Sequence, residues 1–246
     1  MRMTASVFVL VLSLTGLALA QEWEVYVSKE DRFKVDFPGQ PQITDTSWMS
    51  ENGYILPARV YSAAMGGGRY SMTVVDYSVV ERLGMERSER CPVGAETCLG
   101  QPQGQLRAVI GPGYAIQDIR GAIAYAALKF FQREGAKITT FTWNFQDLVE
   151  GYEVNLTNAD GSRTMAFITM HENRLYILDG TVPKGYPEPG LFYQSLQFVD
   201  QNGYGIRYQA VYSNEFHGLR IYPPPPLLTN LPAEFGYGPP APAAGR

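Results

Sequence analysis

Residues 152–198 read YEVNLTNADGSRTMAFITMHENRLYILDGTVPKGYPEPGLFYQSLQF, and this stretch decides the fold. Apolar and polar residues alternate from Tyr152 to Thr157, which is the period of a β-strand with one buried face. Residues 158–161 end in Asp-Gly, a pair that favours a tight turn because both residues tolerate a left-handed backbone. The stretch therefore predicts a meander of three strands, at residues 152–157, 164–170 and 175–181, with a second turn at 171–174.

The residues after the meander predict a break and then a short helix. Prolines at both ends of residues 183–189 interrupt the sheet, because proline has no N–H for a strand ladder. We expect residues 190–198 to form a short helix that turns its apolar side chains inward, namely Leu191, Phe192, Leu196 and Phe198.

The residues upstream predict the rest of the sheet and one main helix. Between Gly113 and Gly135 the apolar residues fall on one helical stripe, and Gly135 favours a helix end. The stripe consists of Ile116, Ile119, Ile123, Ala126, Ala127 and Phe130. Alternation predicts further strands at residues 23–28, 33–37, 42–48, 54–63, 70–77 and 137–145, with an edge strand at 203–212. The predicted fold class is α+β, an antiparallel sheet flanked by helices with one main helix.

Residues 78–105 have no regular apolar period and predict a long surface loop. This loop contains both cysteines of the chain, Cys91 and Cys98. In an oxidising compartment, two cysteines so close in sequence most simply form a local disulfide. A redox pair is the alternative, but such motifs usually leave about two residues between the cysteines. A metal site would need further ligands.

The N-terminal residues predict export. Arg2 precedes an apolar run at residues 7–14, and Ala18-Leu19-Ala20 has the small-residue pattern at which a signal peptidase cuts. The run is shorter than the ~20 apolar residues that span a bilayer, so we expect no transmembrane segment in the mature chain. The prediction is a signal peptide at residues 1–20, cleaved after Ala20, and a periplasmic or secreted protein.

The mature chain is expected to consist of one folded domain at residues 21–212 and a flexible tail at residues 213–246. The tail is rich in proline, beginning with Pro223 to Pro226, and such a segment favours extended polyproline geometry without a core of its own. It is either a ligand or spacer in the envelope or an unselected terminus. The whole sequence has a net charge of −4, which argues against a nucleic-acid partner.

A search for catalytic, metal-binding and cofactor-binding residues identifies none. The two histidines are His171, at a predicted turn that we expect to be solvated, and His217, near the end of the sequence. No Gly-x-Ser-x-Gly motif provides a nucleophile. Gly111-Pro112-Gly113 precedes the main helix but lacks the Lys-Ser or Lys-Thr of a phosphate loop, so we expect a plain turn.

Carboxylate pairs and strand aromatics are interpreted as structural or solvated. Glu86 with Glu89, and Asp147 with Glu150, lie in polar stretches where a solvated surface is the default. The aromatic residues lie mostly on predicted strands, where such side chains usually pack. They include Tyr54, Tyr61, Tyr70, Tyr77, Phe141, Trp143, Tyr152, Phe167 and Tyr176.

Several short segments carry a family resemblance. Residues 30–41, EDRFKVDFPGQP, are similar to the start of many small exported bacterial proteins. Together with the meander and with the segments 180–183 (GTVP) and 192–196 (FYQSL), they resemble the broad group that shares the fold of PsbP, an extrinsic photosystem protein. The resemblance covers residues 23–198 in outline and implies an antiparallel sheet sandwiched by helices, with roles in binding, assembly or stabilisation. No ligand position of PsbP is matched, and the loop and the tail depart from the pattern.

These observations favour a non-catalytic exported protein that binds or stabilises an envelope partner protein. Two alternatives stay open. One is a small-ligand carrier with an aromatic-lined cleft between the sheet and the main helix. The other is a hydrolase that uses carboxylates of the loop at residues 78–105, with Glu86 and Glu89 converging in a pocket.

Overall fold

The computed structural model describes residues 22–89 and 114–213. The strands are β1 (Trp23–Ser28), β2 (Phe33–Pro38), β3 (Gln42–Met49), β4 (Ile55–Met65), β5 (Gly68–Asp76), β6 (Lys137–Gln146), β7 (Val149–Thr157), β8 (Arg163–His171), β9 (Arg174–Val182) and β10 (Gln197–Phe198). The helices are α1 (Val80–Glu89), which follows a 3₁₀ turn at Tyr77–Val79, α2 (Tyr114–Phe131) and α3 (Gly190–Tyr193).

Seven strands form one antiparallel sheet in the order β3-β4-β5-β9-β8-β7-β6. Strands β7, β8 and β9 pair consecutively, so the predicted meander is confirmed. Its first turn uses Gly161 at a φ of 79°, a left-handed conformation that glycine adopts without strain. The hairpin between β6 and β7 turns at Asp147 and Leu148, whose φ values are 49° and 62°.

The fold has three layers, with a hydrophobic core in each of the two spaces between them. Helices α1 and α2 cover one face of the seven-stranded sheet, over a core of mostly aliphatic side chains. A three-stranded sheet of order β1-β2-β10 covers the other face together with α3. The second core is rich in aromatic residues, namely Phe33, Phe37, Tyr61, Tyr70, Phe167, Tyr176, Phe192 and Phe198, and we call these residues the buried cluster.

The architecture is predominantly antiparallel β, and α2 is its long helix. Residues Ile119, Ala126, Ala127 and Phe130 of the predicted stripe are buried against the sheet. Within the ranges given above, no helix combines the length and the apolar character that a membrane crossing requires.

The beginning of the expected loop at residues 78–105 is helical instead. The Asp76 carboxylate accepts a hydrogen bond from the Ser78 N–H at 2.9 Å and starts the 3₁₀ turn that leads into α1. Arg87 then donates to the carbonyl oxygens of Asn52 and Gly53, at 2.9 and 3.1 Å, which holds α1 against the loop between β3 and β4. The contacts of Arg87 with distant residues, together with the packing of Val80 and Leu83 on the core, stabilise α1.

Residues 190–198 do not form the single helix that we expected. The helix ends after Tyr193, and Leu191 is 63% exposed rather than turned inward. The Ser195 hydroxyl accepts a hydrogen bond from the Asp36 N–H at 2.9 Å, and Phe198 pairs with Phe33 as part of β10. The chain after Tyr193 therefore pairs with β2 instead of continuing the helix.

Residues 203–212 do not form the predicted edge strand. They contribute only isolated bridges, between Val149 and Tyr212 and between Val199 and Gly205. Several other predictions fall outside the described residues: the signal peptide at 1–20, the Cys91–Cys98 disulfide, the turn at Gly111 to Gly113, His217 and the tail from residue 214 onward.

A candidate binding surface on the edge strand

His171 is buried rather than solvated, which corrects the prediction. Residues 199–212 fold back over the turn that follows β8 and remove the imidazole from water. Its Nε2 lies 2.5 Å from the Tyr208 hydroxyl, and its ring lies 4.2 Å from that of Phe198 and 4.9 Å from that of Tyr212. Burial, with a smaller effect of Arg174, lowers the pKa of His171 to about 4.

His171 holds the last described residues against the sheet through its contacts with Tyr208 and Tyr212. A neutral imidazole between aromatic rings stabilises packing, and its full burial keeps substrates away from it. The adjoining Asp147 carboxylate accepts a hydrogen bond from the Phe198 N–H at 2.9 Å, and burial raises the pKa of Asp147. Both groups hold the same junction between β6, β8 and β10.

Asp118 is a buried carboxylate that sequence reasoning missed. It lies on α2, is 0% exposed, and accepts a hydrogen bond from the Asn52 N–H at 3.3 Å. Burial raises its pKa, although hydrogen bonds from Ser50 and Asn52 oppose that effect. The contact pins the loop between β3 and β4 to the long helix, so its role is structural.

Of the two carboxylates in the hydrolase hypothesis, the structure describes the side chain of Glu86. Glu86 lies on α1 and forms an ion pair with Arg82 one turn earlier, which is a common arrangement on helix surfaces. Among the described residues, no group of three or more metal-ligating side chains lies close enough to hold an ion.

The space between the sheet and α2 is filled by protein. The buried side chains of Ala122, Ala126 and Phe130 pack on Val154 and Ile168 there, so the cleft of the carrier hypothesis is occupied. A shallow, open recess of about 710 Å³ lies instead beyond the C-terminal end of α2. It is lined by Gln40, Gln42, Ser62, Arg69, Ser71, Arg133, Asp179 and Thr181, and Arg133 there pairs with Asp179 at 2.7 Å.

An ionic network ties the small sheet to the large one. Arg59 on β4 contacts Glu30, Asp31 and Asp45 at 2.7, 3.1 and 2.9 Å. Tyr61 donates its hydroxyl to the Asp31 carboxylate at 2.5 Å, and burial followed by this hydrogen bond raises the pKa of Tyr61. All three carboxylates of the network face Arg59, so the network holds the small sheet against the large one. We call it the clasp.

The surface that remains unexplained by packing lies on β6 and α2. Large apolar side chains there are between 39 and 50% exposed, with Trp143 the most exposed. Two ring pairs lie along it, Phe131 with Phe141 at a ring distance of 4.9 Å and Trp143 with Phe145 at 5.7 Å. The two pairs are neighbours because Phe141 and Trp143 are two residues apart on one strand and share a side of the sheet. We call the patch the aromatic face; it consists of Leu128, Phe131, Ile138, Phe141, Trp143 and Phe145.

Strand geometry explains why these residues share one side. Phe141, Trp143 and Phe145 alternate along β6, so they point to the face of the sheet that α2 also covers. Helix α2 lies over β7, β8 and β9. The rings of β6, which is the last strand of the sheet, therefore extend beyond the helix into solvent.

The outer edge of β6 also offers backbone groups. The Phe145 N–H donates to the Asn144 side-chain oxygen at 2.8 Å rather than to β7. Because ladder hydrogen bonds alternate along an antiparallel pair, the backbone groups of Phe141 and Trp143 face the same outer edge as those of Phe145. Among the strands that the structure describes, none pairs with that edge. The apolar row thus lies beside an edge on which the Phe145 N–H and the Trp143 carbonyl contact only the neighbouring side chains of Asn144 and Thr142, at 2.8 and 3.3 Å.

Sequence reasoning assigned Phe141 and Trp143 to packing, and Phe141 does contact Phe131 and Tyr152, but both residues remain about half-exposed. Six of the other residues in that group, Tyr54, Tyr61, Tyr70, Tyr77, Phe167 and Tyr176, are buried as predicted, whereas Tyr152 is half-buried and stacks on Phe141 at 5.1 Å. A strand order for the sheet would have been needed to see that β6 lies at the edge.

Comparisons with known proteins identify little. No protein-family model matches the chain, and no match was found among curated proteins. The solution structure of cyanobacterial PsbP (CyanoP) from Synechocystis sp. PCC 6803 is similar with a TM-score of 0.34 and 11% sequence identity, over 70% of this chain and 86% of that chain. This is a weak resemblance in fold, and no residue role follows from it.

Proposed function

We propose that this protein is a non-catalytic binding protein of the envelope or the secreted space, and that the aromatic face docks on a partner protein. The observation that carries the proposal is a continuous row of half-exposed aromatic side chains on an edge strand. Contiguous apolar patches on soluble domains mark interaction sites, and aromatic residues supply most hot spots of protein interfaces.

The chemistry of the aromatic face favours a polypeptide as the occupant. Leu128 and Ile138 contribute aliphatic surface, which packs against apolar side chains. The ring of Phe141 stacks on Tyr152 at 5.1 Å and meets Phe131 in a T-shaped contact at 4.9 Å, so less of its flat face is available for stacking on a sugar. The partner we propose adds an extended segment to the edge of β6 and places alternate side chains on Trp143 and its neighbours.

The buried titratable groups support a binding role. His171 and Asp147 hold the junction between strands, and Asp118 holds the loop between β3 and β4. Each is thus part of the scaffold that supports the surface. An exposed aromatic row on a rigid strand is already ordered before a partner binds. Little conformational entropy is then lost on binding, which favours affinity.

The test is site-specific photo-crosslinking in the full chain within its native envelope fraction. A photoreactive residue replaces Trp143 in one variant and Leu191, which is 63% exposed and lies on α3, in a control variant. We expect one protein adduct from position 143 that is absent from position 191. The adduct should also decrease by at least about tenfold when Phe141→Ala is added, since hot-spot truncations cost about 2 kcal/mol or more.

Three outcomes would overturn the proposal. The same adducts from both positions would show that capture does not depend on the aromatic face. A glycan or lipid adduct specific to position 143 would replace the protein partner with another class of ligand. An adduct that is unchanged by Phe141→Ala would place the contact outside the aromatic row.

A further inference from the structure

The edge of β6 that carries the aromatic face matches a second copy of itself. We propose that two copies of this chain pair their β6 strands antiparallel, about a two-fold axis at Trp143, so that the partner of the aromatic face is a second copy of the protein. This inference names the partner and therefore rests on the function proposed above.

The first step of the argument is the absence of charge along this edge. Residues 138–146 read ITTFTWNFQ, and none of them is charged or a proline. Edge strands usually carry charged side chains or proline, which prevent pairing with another chain. Strand β3, at the opposite edge of the sheet, follows Pro41 and carries Asp45, which pairs with Arg59 at 2.9 Å. The β6 edge lacks both kinds of protection, which favours pairing with another strand.

The second step is the length of the regular part of β6. A bulge between Ile138 and Thr140 interrupts its ladder with β7, and the hairpin turn begins at Asp147. Residues 140–146 lie between these two irregularities, and Trp143 is their middle residue. When Trp143 lies opposite Trp143 in an antiparallel pair, the turn of each copy lies beside the bulge of the other. The whole regular part of both strands is then paired, which favours a second copy over an unrelated segment.

The third step is the direction of the backbone groups. The Phe145 N–H and the Trp143 carbonyl point to the outer edge, where the side chains of Asn144 and Thr142 contact them. In an antiparallel ladder, opposite residues whose backbone groups point toward the other strand exchange two hydrogen bonds. The Trp143 pair is of this kind, and so is each pair of Phe141 with Phe145 of the second copy. About six ladder hydrogen bonds then replace the local side-chain contacts.

The fourth step is the match of side chains on each face of the paired strands. On the face that α2 covers, Trp143 lies opposite Trp143, and Phe141 lies opposite Phe145 of the second copy. Rings that are between 43 and 50% exposed in one copy thus form a single row that both copies cover. On the other face Thr142 lies opposite Asn144, and both are polar and uncharged. Aromatic pairs stabilise neighbouring strands, and no like charges oppose one another in this register.

Cysteine pairing in the full mature chain tests the register. Thr142→Cys and Asn144→Cys leave the aromatic row intact, and in the proposed pair these positions are directly opposite, with Cβ atoms roughly 5 Å apart. Two copies of either variant alone place their thiols on a diagonal, roughly 7–8 Å apart, which is too far for a disulfide. We expect mild oxidation of a mixture of the two variants to give at least about fivefold more linked dimer than either variant alone. The unaltered chain, oxidised in the same way, measures the background from Cys91 and Cys98.

Light scattering during size-exclusion chromatography measures the mass of the pair. We expect the purified chain to shift from the mass of one copy toward that of two between roughly 1 and 100 µM, because small interfaces give weak dimers. Trp143→Ala should weaken dimerisation by at least about tenfold, since the residue lies at the centre of the interface. Ile43→Ala on β3 is the matched control, because it removes an apolar side chain that is 48% exposed at the opposite edge. Circular dichroism checks that both variants fold.

Two outcomes would overturn the proposal. One is a purified chain that keeps the mass of a single copy at all of these concentrations. The other is a dimer in which the mixture of cysteine variants links no better than either variant alone, because the copies would then associate through another surface or in another register. The cysteine variants keep every ring of the row, so this outcome does not depend on the folding of Trp143→Ala.

The adduct at position 143 in the envelope fraction separates this inference from the function proposed above. An adduct made only of this chain, together with the expected cysteine pairing, supports both. An adduct with a different protein, from a chain that stays monomeric when purified, supports the proposed function and overturns the pairing of two copies. A purified chain that pairs as expected but gives no protein adduct in the envelope supports the pairing and overturns the proposed function.

Discussion

The buried cluster and the aromatic face are built from the same residue types on the same kind of strand, yet one is the interior and the other is surface. Phe33, Tyr61 and Tyr176 are at most 1% exposed, whereas Phe141, Trp143 and Phe145 are between 43 and 50% exposed. In both regions apolar side chains alternate with polar ones along the strand. Alternation therefore identifies which residues share a side of a sheet, and it does not identify whether that side is covered.

The two regions differ in exposure because other elements cover the buried cluster, and these elements come from distant parts of the chain. The buried cluster lies under β1, β2, β10 and α3, which are contributed by both ends of the domain. The aromatic face lies at the end of the sheet, beyond the reach of α2. The first is an interior that holds the layers together, and the second is a surface that no described element covers.

Truncation inside the buried cluster should have the largest effect. Phe33 is fully buried and contacts the rings of Tyr26, Tyr61 and Tyr176. We expect Phe33→Ala to lower the free energy of unfolding by about 3–5 kcal/mol in urea denaturation, because it leaves a cavity in addition to the lost transfer energy. The control is Val25→Ala on the adjacent strand, where the residue is 61% exposed and the change should stay within about 0.5 kcal/mol. Similar losses in both variants would contradict the distinction between interior and surface.

The next largest effect concerns pH and His171, which borders the buried cluster at Phe198. The pKa of His171 is about 4 in the folded protein, whereas an unfolded histidine takes up its proton near pH 6.5. Between these values the unfolded state binds the proton preferentially, so stability falls as pH is lowered from 6.5 toward 4 and no further below. The lowered pKa of His171 contributes roughly 3 kcal/mol to the pH dependence of the free energy of unfolding over this range.

Urea denaturation at several pH values checks this expectation. Burial raises the pKa values of Asp118 and Asp147, which adds a pH dependence of their own, so the useful quantity is the difference between the protein and a His171→Phe variant. Between pH 6.5 and 4 we expect the free energy of unfolding to fall less in the variant than in the unaltered protein. The difference should be most of the roughly 3 kcal/mol that His171 contributes. Identical pH dependence in both proteins would mean that the imidazole is solvated, as the sequence alone suggests.

The meander shows how far local sequence information reaches. Strands β7 to β9 could be predicted, because their alternation and the turn at Gly161 are encoded within the segments themselves. Helix α2 could be predicted for the same reason, since one apolar stripe covers its length. Local patterns therefore identify the central elements of the fold.

The elements that could not be predicted depend on contacts between distant residues. Arg87 of α1 donates hydrogen bonds to the loop between β3 and β4 and so holds the helix in place. Strand β10 forms because the chain returns to pair with β2. The burial of His171 requires residues 199–212 to fold back over it. The aromatic face escaped prediction because strand order is not visible in the alternation of β6 itself.

A smaller effect should follow from removing one hydroxyl group beneath the small sheet. The Tyr61 hydroxyl lies 2.5 Å from the Asp31 carboxylate and 3.0 Å from the Ser28 hydroxyl. We expect Tyr61→Phe to lower the free energy of unfolding by about 1–3 kcal/mol, because the hydrogen bond to a charged group is lost while the ring stays in place. Tyr204→Phe, at a residue that is 74% exposed, is the matched control and should be neutral. An unchanged denaturation midpoint in Tyr61→Phe would mean that water replaces the hydroxyl and that the clasp contributes little to holding the two layers.

The smallest change in stability should come from the aromatic face, and it is the sharpest test of the comparison. Trp143 is 50% exposed, and its indole N–H lies 3.5 Å from the Glu150 carboxylate at the surface. We expect Trp143→Ala to change the free energy of unfolding by no more than about 0.5 kcal/mol, as surface substitutions usually do. Far-UV circular dichroism follows the urea denaturation, since the variant removes a fluorophore. With the photoreactive residue placed at position 145 instead, Trp143→Ala should lower partner capture by about tenfold or more, whereas Leu191→Ala should retain both stability and capture. A loss of stability above about 2 kcal/mol in Trp143→Ala would show that the ring is covered in solution by other parts of the domain, and the aromatic face would then belong with the buried cluster.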